Sequence, residues 1–283
     1  MVTLLPHDLD EIVRRALSED VGHGDITTAA TVDPGLEGVA RISAKQSDIV
    51  FCGGPVMVRV FELAGASARV EMLSSEGAEL KAGDCVAIIR GKVAGLLTGE
   101  RTALNFVQLM SGIATASRSF VRAVEGTKAR IVDTRKTHPG LRALEKYAVR
   151  VGGASNHRFG LDDGVLIKEN HIAAAGSLRQ AVLLARRRVP HTVRIQVECE
   201  TLAQVEEALA AGADALLLDN MSVESVRQAR AMVGSSTLIE VSGGITLENV
   251  REYAQAGADL ISVGAITHSP RAADLSMRLE CLR

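Results

Sequence analysis

The sequence predicts an α/β protein, with a small β-rich module in the first third and a (β/α) barrel of about six strands after it. An internal repeat indicates the barrel: TLAQVEEALAAGADALLLDN, from Thr201, matches TLENVREYAQAGADLISVGA, from Thr246. Each copy is typical of a capped amphipathic helix, a glycine stop and an apolar strand. A second indication is the stretch 131–171, where two short apolar runs flank a helix-like segment and each continues into charged residues.

Composition excludes several classes of protein. The chain of 283 residues carries a net charge of −2 and only 2% aromatic residues, so it offers neither the basic imbalance nor the stacking surface of a nucleic-acid binder. The opening MVTLLPHDLD is unlike a signal peptide, and no apolar run approaches the ~20 residues that span a bilayer. The four cysteines form no CxxC pair, so we expect reduced, mostly buried thiols in a cytoplasmic protein.

The first third alternates between strand-like and helix-like patterns. A helical stripe covers 9–19, and a long helical pattern covers 99–113. Between them, strands are predicted at 39–44, 68–73 and 85–90, with a helix at 55–63.

The barrel half is predicted from strands that end in polar or small residues. The candidate strands end at Thr134, Lys168, Glu198, Asp219, Ser242 and Gly264. A standard barrel has eight strands, so either two are missed or the barrel is short or open. In both cases the carboxyl ends of the strands are where the functional groups are expected.

Cationic residues crowd the first two of these strand ends. Arg135 and Lys136 follow one strand, Lys168 follows the other, and His157 and Arg158 lie in the loop between them. Cations packed this closely repel one another unless an anion binds among them. A solvated basic surface is the alternative, but the position of each cation after a buried-type strand favours an anion-binding site.

The later strand ends supply acids and then glycines. Glu198 and Asp219 either bind Mg²⁺, accept hydrogen bonds from sugar hydroxyls, or only neutralise the nearby cations. Ser242-Gly243-Gly244 and Val263-Gly264-Ala265, after the last two strands, are typical of a backbone phosphate cradle. By alternation Glu240 faces the same side as Ser242 and supports the site from inside the barrel. Together these groups favour a phosphorylated sugar with further negative charges.

Two residues invite other interpretations. Cys199 lies near charged candidates, but no partner histidine is evident, so we expect a core residue rather than a nucleophile. Lys168 matches the position of a Schiff-base lysine in a barrel aldolase or decarboxylase. A non-enzymatic alternative is an anion-binding module of a transport or regulatory system.

Motifs along nearly the whole chain resemble one family, the quinolinate phosphoribosyltransferases. The matching segments are ALSEDVGHGDITT, GERTALNFVQLMSGIAT, DTRKTHPGLRALEKYAV, GGASNHRFGLDDGVLIKENH, QVEC, LLLDNM, EVSGGI and ISVGAITHS. Ala154 stands where the family usually has a third glycine, and Glu169 where it usually has aspartate. Related proteins linked to molybdenum transport share the fold, and the full cationic set here favours the transferase.

The resemblance implies a fold and a reaction. The fold is an N-terminal α/β sandwich joined to an incomplete (β/α) barrel, for which we expect domains at 1–108 and 109–269 and a C-terminal segment, 270–283, that returns to the first domain. The reaction transfers phosphoribosyl from phosphoribosyl pyrophosphate to quinolinate, with Mg²⁺ required, and gives nicotinate mononucleotide, pyrophosphate and CO₂ in de novo NAD biosynthesis. A homodimer, or a higher oligomer built from it, is implied, with each active site shared between two subunits.

The resemblance also implies residue roles. Arg101, which spacing alone marks as a surface charge, reaches the quinolinate in the partner's site. The remaining roles are binding of quinolinate by Arg135, Arg158, His157 and Lys136; contact of Lys168 with pyrophosphate or the reacting carboxylate; and binding of Mg²⁺ and ribose by Glu198 and Asp219. The 5′-phosphate is expected at Ser242–Gly244 and Val263–Ala265, and Thr134 is expected to line the substrate. Lys136, Lys168, Glu198 and Asp219 are the expected catalytic set.

Overall fold

A computed structural model describes residues 6–282 as a mixed α/β protein. Residues 1–5, part of the opening segment in which no signal peptide is expected, and Arg283 lie outside the described residues. The described chain forms two compact units. The first contains the residues up to Arg118, Thr137–Gly153 and those from Ile266 onward, and the second contains Ser119–Lys136 and Ala154–Ala265.

The helices are α1 (Pro6–Val21), α2 (Ile26–Thr31), α3 (Gly54–Leu63), α4 (Val93–Ala123), α5 (Arg142–Val151), α6 (Glu169–Ala175), α7 (Leu178–Arg188), α8 (Leu202–Ala210), α9 (Val223–Val233), α10 (Val250–Gln255) and α11 (Ala265–His268). The strands are β1 (Glu37–Ala44), β2 (Ile49–Val50), β3 (Arg69–Met72), β4 (Glu79–Leu80), β5 (Cys85–Lys92), β6 (Arg130–Val132), β7 (Val165–Ile167), β8 (Ile195–Cys199), β9 (Ala215–Asp219), β10 (Leu238–Ser242), β11 (Leu260–Ser262) and β12 (Leu275–Cys281).

The first unit is built on an antiparallel sheet with the strand order β12-β1-β5-β3. The three strands predicted in the first third are present as β1, β3 and β5. Along β1, Ala40, Ile42 and Ala44 are buried while Arg41 is exposed, which is the alternation expected of a sheet with one face on the core. The last strand, β12, pairs with β1 along seven residues.

Helix α4 is longer than the pattern at 99–113 predicts. It runs through Gly95 and Gly99, residues that weaken a helix prediction. Both glycines are sites of close approach: a Cβ at Gly95 would collide with the backbone of Ala66, and one at Gly99 would lie 3.1 Å from the Phe61 ring. The predicted domain boundary at residue 108 falls inside this helix.

Helix α5 forms where the sequence predicts it, but it does not complete a local strand–helix–strand unit. It groups with the first compact unit, whereas β6 and β7 belong to the second. Pro139, expected in the first helical turn, precedes the helix, which begins at Arg142. The helix ends at Val151, directly before Gly152, as predicted, and the Gly152 carbonyl accepts a hydrogen bond from Arg118 Nε at 2.8 Å.

The second unit is built on a six-stranded parallel sheet with the order β6-β11-β10-β9-β8-β7. The six strands are those predicted from the sequence, and each ends within two residues of its expected position. The capping box expected at the start of α8 is also present. The side chains of Thr201 and Gln204 each accept a hydrogen bond from the backbone N–H of the other residue. Because the strands are parallel, their carboxyl ends share one edge of the sheet, and the predicted site residues of this unit follow that edge.

Within residues 6–282, no helix combines the length and apolarity needed to cross a membrane.

Candidate active site

Lys168 and Glu198 meet at the ends of neighbouring strands. Lys168 follows β7, Glu198 is the fourth residue of β8, and Lys168 Nζ donates a hydrogen bond to Glu198 Oε2. The lysine side chain is 47% exposed and the glutamate 13%, so this ion pair faces solvent on the lysine side. The structure therefore brings together a cation and an acid that the sequence placed on separate motifs.

Arg158 is held by its own loop. Its Nη1 donates to the Gly164 carbonyl at 2.8 Å, and the Asp163 carboxylate accepts the Phe159 and Gly160 N–H groups. Burial lowers the pKa of Arg158, and the nearby charge of Arg135 lowers it further, with Asp163 opposing them. The positive charge of Arg135 thus disfavours the charged form of Arg158, as expected of a site that binds an anion.

His157 lies between Arg158 and Glu240. Its Nδ1 accepts the Arg158 backbone N–H at 2.7 Å, and its Nε2 lies 3.2 Å from Glu240 Oε2. The ring therefore connects the loop that carries Arg158 to a carboxylate on β10. The expectation that His157 belongs to the cationic wall stays a prediction.

Glu240 lies under the site on β10 and is 1% exposed. Its Oε2 also accepts from Gln196 Nε2 at 2.7 Å. Burial raises the pKa of Glu240, but the hydrogen bond and charge of His157, together with hydrogen bonds that include the one from Gln196, outweigh burial, and the net pKa is lowered. The sequence indicated Glu240 through alternation with Ser242, whereas Gln196 was missed, although it alternates with Glu198 on the same face of β8.

Asp133, a buried carboxylate after β6, was also not singled out as a site residue. Its Oδ1 accepts the His157 N–H at 2.8 Å and its Oδ2 accepts Asn156 Nδ2 at 2.6 Å. Its position directly after an apolar strand indicates a site residue, but the cations that follow it in the sequence dominated the prediction.

Asp219 ends β9, and the next residue, Asn220, adopts a left-handed conformation with φ 54°. Asn220 Nδ2 donates to Asp219 Oδ2 at 2.7 Å, and its backbone N–H donates to the Ser242 carbonyl at 2.9 Å. Non-glycine residues in this conformation are uncommon and concentrate at functional sites. Asn220 was missed. Its signal in the sequence is an asparagine at a strand end, because asparagine is one of the non-glycine residues that tolerate positive φ best.

The two glycines after β10 differ in surroundings. A Cβ at Gly243 would collide with Asn220, whereas a Cβ at Gly244 would meet nothing within 4 Å. Gly243 is therefore required by packing, and Gly244 is the glycine that leaves its backbone open to a ligand. The chain does not pass directly into a helix here, since α10 begins at Val250, while after β11 the short helix α11 begins at Ala265, next to buried Val263 and partly exposed Gly264.

The remaining predicted residues occupy accessible positions. Thr134 follows β6, and its Oγ1 accepts the backbone N–H of Lys136, whose side chain is exposed. Arg101 lies in the first unit, with an exposed side chain on α4.

Cys199 is fully buried, and burial raises its pKa to about 12, as expected of a core thiol rather than a nucleophile.

The acidic side chains at the strand ends are few for a metal site. Over residues 6–282, no three histidine, cysteine or acidic side chains cluster to form a metal site. Glu198 and Asp219, at the ends of adjacent strands β8 and β9, instead provide two carboxylates. That is the number with which proteins commonly hold Mg²⁺ when substrate phosphates and water complete the coordination.

Comparison with known proteins agrees with this geometry. The family description for the quinolinate phosphoribosyl transferase C-terminal domain matches residues 113–278, and that for the N-terminal domain matches residues 25–111. The chain is 43% identical over 270 residues to the probable nicotinate-nucleotide pyrophosphorylase [carboxylating] of Bacillus subtilis, covering 95% of this chain and 92% of that protein. It is 43% identical over 274 residues to the nicotinate-nucleotide pyrophosphorylase [carboxylating] of Mycobacterium leprae, covering 95% of this chain and 96% of that protein.

Solved structures agree as well. The crystal structure of NadC from Streptococcus pyogenes superposes with a TM-score of 0.95 at 40% identity, covering all of both chains. The nicotinate-nucleotide pyrophosphorylase from Francisella tularensis superposes with a TM-score of 0.93 at 36% identity, covering 99% of this chain and 98% of that one. The chain therefore belongs to the quinolinate phosphoribosyl transferase family.

Proposed function

We infer that this protein is a quinolinate phosphoribosyltransferase (decarboxylating), a pentosyltransferase of de novo NAD biosynthesis. It transfers phosphoribosyl from phosphoribosyl pyrophosphate to quinolinate and forms nicotinate mononucleotide, pyrophosphate and CO₂. The observation that carries this inference is the match of both family domains to residues 25–111 and 113–278. The strand ends of the same chain hold the cations and acids that the reaction needs.

The cationic groups suit a substrate with two carboxylates. Quinolinate is a planar dianion, and guanidinium groups pair bidentately with carboxylates. Arg158 and Arg135 are the proposed partners of those carboxylates, because the charge of Arg135 lowers the pKa of Arg158. Binding a dianion between them relieves their mutual repulsion, and this supports their assignment to quinolinate.

The phosphorylated sugar is assigned to the other strand ends. Ser242 to Gly244 and Val263 to Ala265 are proposed to hold the 5′-phosphate, with the open backbone at Gly244 as the support for this assignment. Lys168, paired with Glu198 and half exposed, is proposed to contact pyrophosphate or the reacting carboxylate.

Magnesium is proposed at Glu198 and Asp219. Their carboxylates fit Mg²⁺ held jointly by protein, pyrophosphate and water, and the ion supplies neutralisation of the pyrophosphate charge. Both carboxylates are also placed to accept hydrogen bonds from the ribose hydroxyls.

The chain contributes positioning and electrostatics to the chemistry. The quinolinate nitrogen attacks the anomeric carbon as pyrophosphate leaves, and the cations hold the two substrates in line. The C2 carboxylate then leaves as CO₂, and the electron pair left on the ring is stabilised by the adjacent pyridinium nitrogen before a proton replaces the carboxylate. No side chain forms a covalent bond to substrate in this scheme.

We also propose a cytoplasmic homodimer with shared active sites, either alone or as the unit of a larger oligomer. The support is the exposed Arg101 on α4, in a segment, GERTALN, that matches the family motif. In this arrangement Arg101 of one subunit completes the cationic site of the other.

A Schiff-base role for Lys168 is less well supported. Lysines with that role are usually desolvated or next to another cation. Lys168 instead is half exposed and donates to a carboxylate.

The test is direct. Purified protein is incubated with quinolinate, phosphoribosyl pyrophosphate and Mg²⁺, and nicotinate mononucleotide and released CO₂ are measured against reactions that lack one component. Equal amounts of both products are expected. A folded protein that forms neither product would overturn the proposed function.

A further inference from the structure

A buried carboxylate lies beneath the cationic site and needs an explanation. Glu240 is 1% exposed on β10, in the interior of the second unit. Burying a carboxylate is unfavourable unless hydrogen bonds compensate for the lost water. The compensating donors include Gln196 Nε2 at 2.7 Å and His157 Nε2 at 3.2 Å.

The imidazole of His157 connects this carboxylate to Arg158. With Nε2 donating to Glu240, Nδ1 is the acceptor for the Arg158 N–H at 2.7 Å. A hydrogen bond at one ring nitrogen fixes the tautomer and thereby the role of the other nitrogen. The His157 backbone is fixed independently, because its own N–H donates to Asp133 Oδ1 at 2.8 Å.

The Arg158 side chain depends on the backbone that His157 fixes. Its guanidinium reaches Gly164 across the loop, with Nη1 2.8 Å from the carbonyl oxygen. A shift of the Arg158 backbone therefore moves the guanidinium or breaks this contact. Bidentate recognition of a carboxylate is sensitive to displacements of this kind.

We propose that Glu240 is a positioning residue for quinolinate: through His157 it sets the place of the Arg158 guanidinium. This inference rests on the proposed function, because the position of Arg158 matters only if a dicarboxylate binds there. It assigns to His157 an indirect role, through Arg158, in place of direct charge contact with the substrate.

The orientation of the carboxylate provides a conservative variant. Both donors point at Oε2, and Oε1 is buried without a hydrogen-bond partner. In Glu240→Gln the amide oxygen can occupy the Oε2 position and accept both bonds, whereas Glu240→Ala leaves His157 without its acceptor. His157→Asn interrupts the same connection from the other side while its amide oxygen can still accept the Arg158 N–H.

Asp259 offers a matched control. It is also a carboxylate of the second unit. It accepts a hydrogen bond from the backbone N–H of Ile239 at 2.9 Å and pairs with Arg230 and Lys128. It lies just before β11, at the amino end of the strands, away from the edge that carries the site residues. Asp259→Ala thus tests whether loss of any structural carboxylate reproduces the effect.

The experiment measures KM for each substrate, kcat and thermal unfolding for wild type and these variants. Glu240→Ala and His157→Asn should raise KM for quinolinate on the order of tenfold, with KM for phosphoribosyl pyrophosphate changed less than about twofold. Glu240→Gln should restore most of the affinity for quinolinate, and Asp259→Ala should lower the unfolding temperature without this selective change.

A double-mutant cycle provides an independent test. If Glu240 acts through Arg158, then Glu240→Ala should add little to the effect of Arg158→Ala on quinolinate KM. Additive effects of the two substitutions would overturn the connection. The connection would also be overturned if neither Glu240→Ala nor His157→Asn raised KM for quinolinate selectively. If Glu240→Ala does not fold, His157→Asn and the rescue by Glu240→Gln decide the question.

The outcomes separate this inference from the function on which it rests. Wild-type protein that does not convert quinolinate contradicts the proposed function. Wild-type protein that converts quinolinate, together with Glu240→Ala protein that keeps the wild-type KM for quinolinate, contradicts only the positioning role.

Discussion

Asn220 lies where a side chain on Gly243 would have to be, with its backbone nitrogen 2.9 Å from the position of a Gly243 Cβ. Gly243 combines this close approach with φ 90°. From the sequence alone, a bulky residue at Gly243 is a way to block a phosphate. In the structure it would displace Asn220 and break the hydrogen bond from Asn220 to Asp219. The phosphate cradle is better tested at the next residue.

Gly244→Ala should weaken binding of phosphoribosyl pyrophosphate about tenfold, the equivalent of one lost charge-assisted hydrogen bond. The added Cβ points into open space, where the phosphate is proposed to approach. Affinity is measured by calorimetry on the folded variant.

The control for Gly244→Ala is Gly212→Ala. Gly212 also has positive φ, 82°, and nothing within 4 Å of its Cβ position. Both substitutions should cost about 1–2 kcal/mol of stability through the left-handed backbone, so a difference in ligand affinity reports the site alone. Equal affinity in the two variants would remove Gly244 from the cradle.

Nicotinic acid should be a far poorer substrate than quinolinate. It lacks the second carboxylate, so Arg135 or Arg158 is left without its partner in the complex. We expect kcat/KM to be lower by at least about 100-fold. Steady-state assays with both acids check this, and comparable values for the two would mean that the cations do not recognise a dicarboxylate.

Sharing of the active site should appear as complementation between Arg101→Ala and Lys136→Ala. Each variant should be nearly inactive alone, because loss of one cation partner typically costs on the order of 2–5 kcal/mol. After subunit exchange, about half of the dimers are mixed, and each mixed dimer has one site with both lesions and one with neither. Activity should therefore recover to about a quarter of the wild-type value.

Exchange has to be verified, for example by native mass spectrometry of tagged subunits. Proven exchange without any recovery would mean that Arg101 serves its own chain or no active site.

Asp259 should make stability depend on pH. Burial raises its pKa, but the Ile239 N–H, Lys128 and Arg230 outweigh burial and lower it below the ordinary 3.8. A lowered folded-state pKa means that the charged form stabilises the fold above the ordinary pKa, and that this contribution is lost as pH falls through the lowered value. Asp259→Asn should therefore cost about 1–2 kcal/mol at neutral pH, allowing for partial exposure.

Urea unfolding of wild type and Asp259→Asn across acidic and neutral pH measures this difference. The gap should narrow below the ordinary pKa of aspartate. A gap that is constant with pH would assign the effect to packing instead of charge.

Much of this architecture was predictable because it is encoded locally. The six barrel strands, the helix–glycine–strand repeat and the capping box at Thr201 each depend on residues within one element, so periodicity and spacing suffice. The ends of α4 were not predictable, because Gly95 and Gly99 weaken a helix by propensity and are explained only by Ala66 and Phe61, which pack against them.

The site divides in the same way. The residues that follow the strand ends could be predicted from the chain, and these include Lys168, Glu198 and Asp219. The contact between His157 and Glu240 could not, because Glu240 lies in a different strand far along the chain. The distinction between Gly243 and Gly244 likewise depends on Asn220, contributed by the neighbouring strand.

The pairing of β12 with β1 has a consequence for biosynthesis. β1 emerges from the ribosome long before Leu275–Cys281, the strand that covers one of its edges. Until β12 is made, that edge of β1 presents open N–H and C=O groups, the kind of surface at which nascent chains pair wrongly with one another. The four-stranded sheet can close only once β12 has been made, so a ribosome that stops before β12 releases a chain with an exposed strand edge.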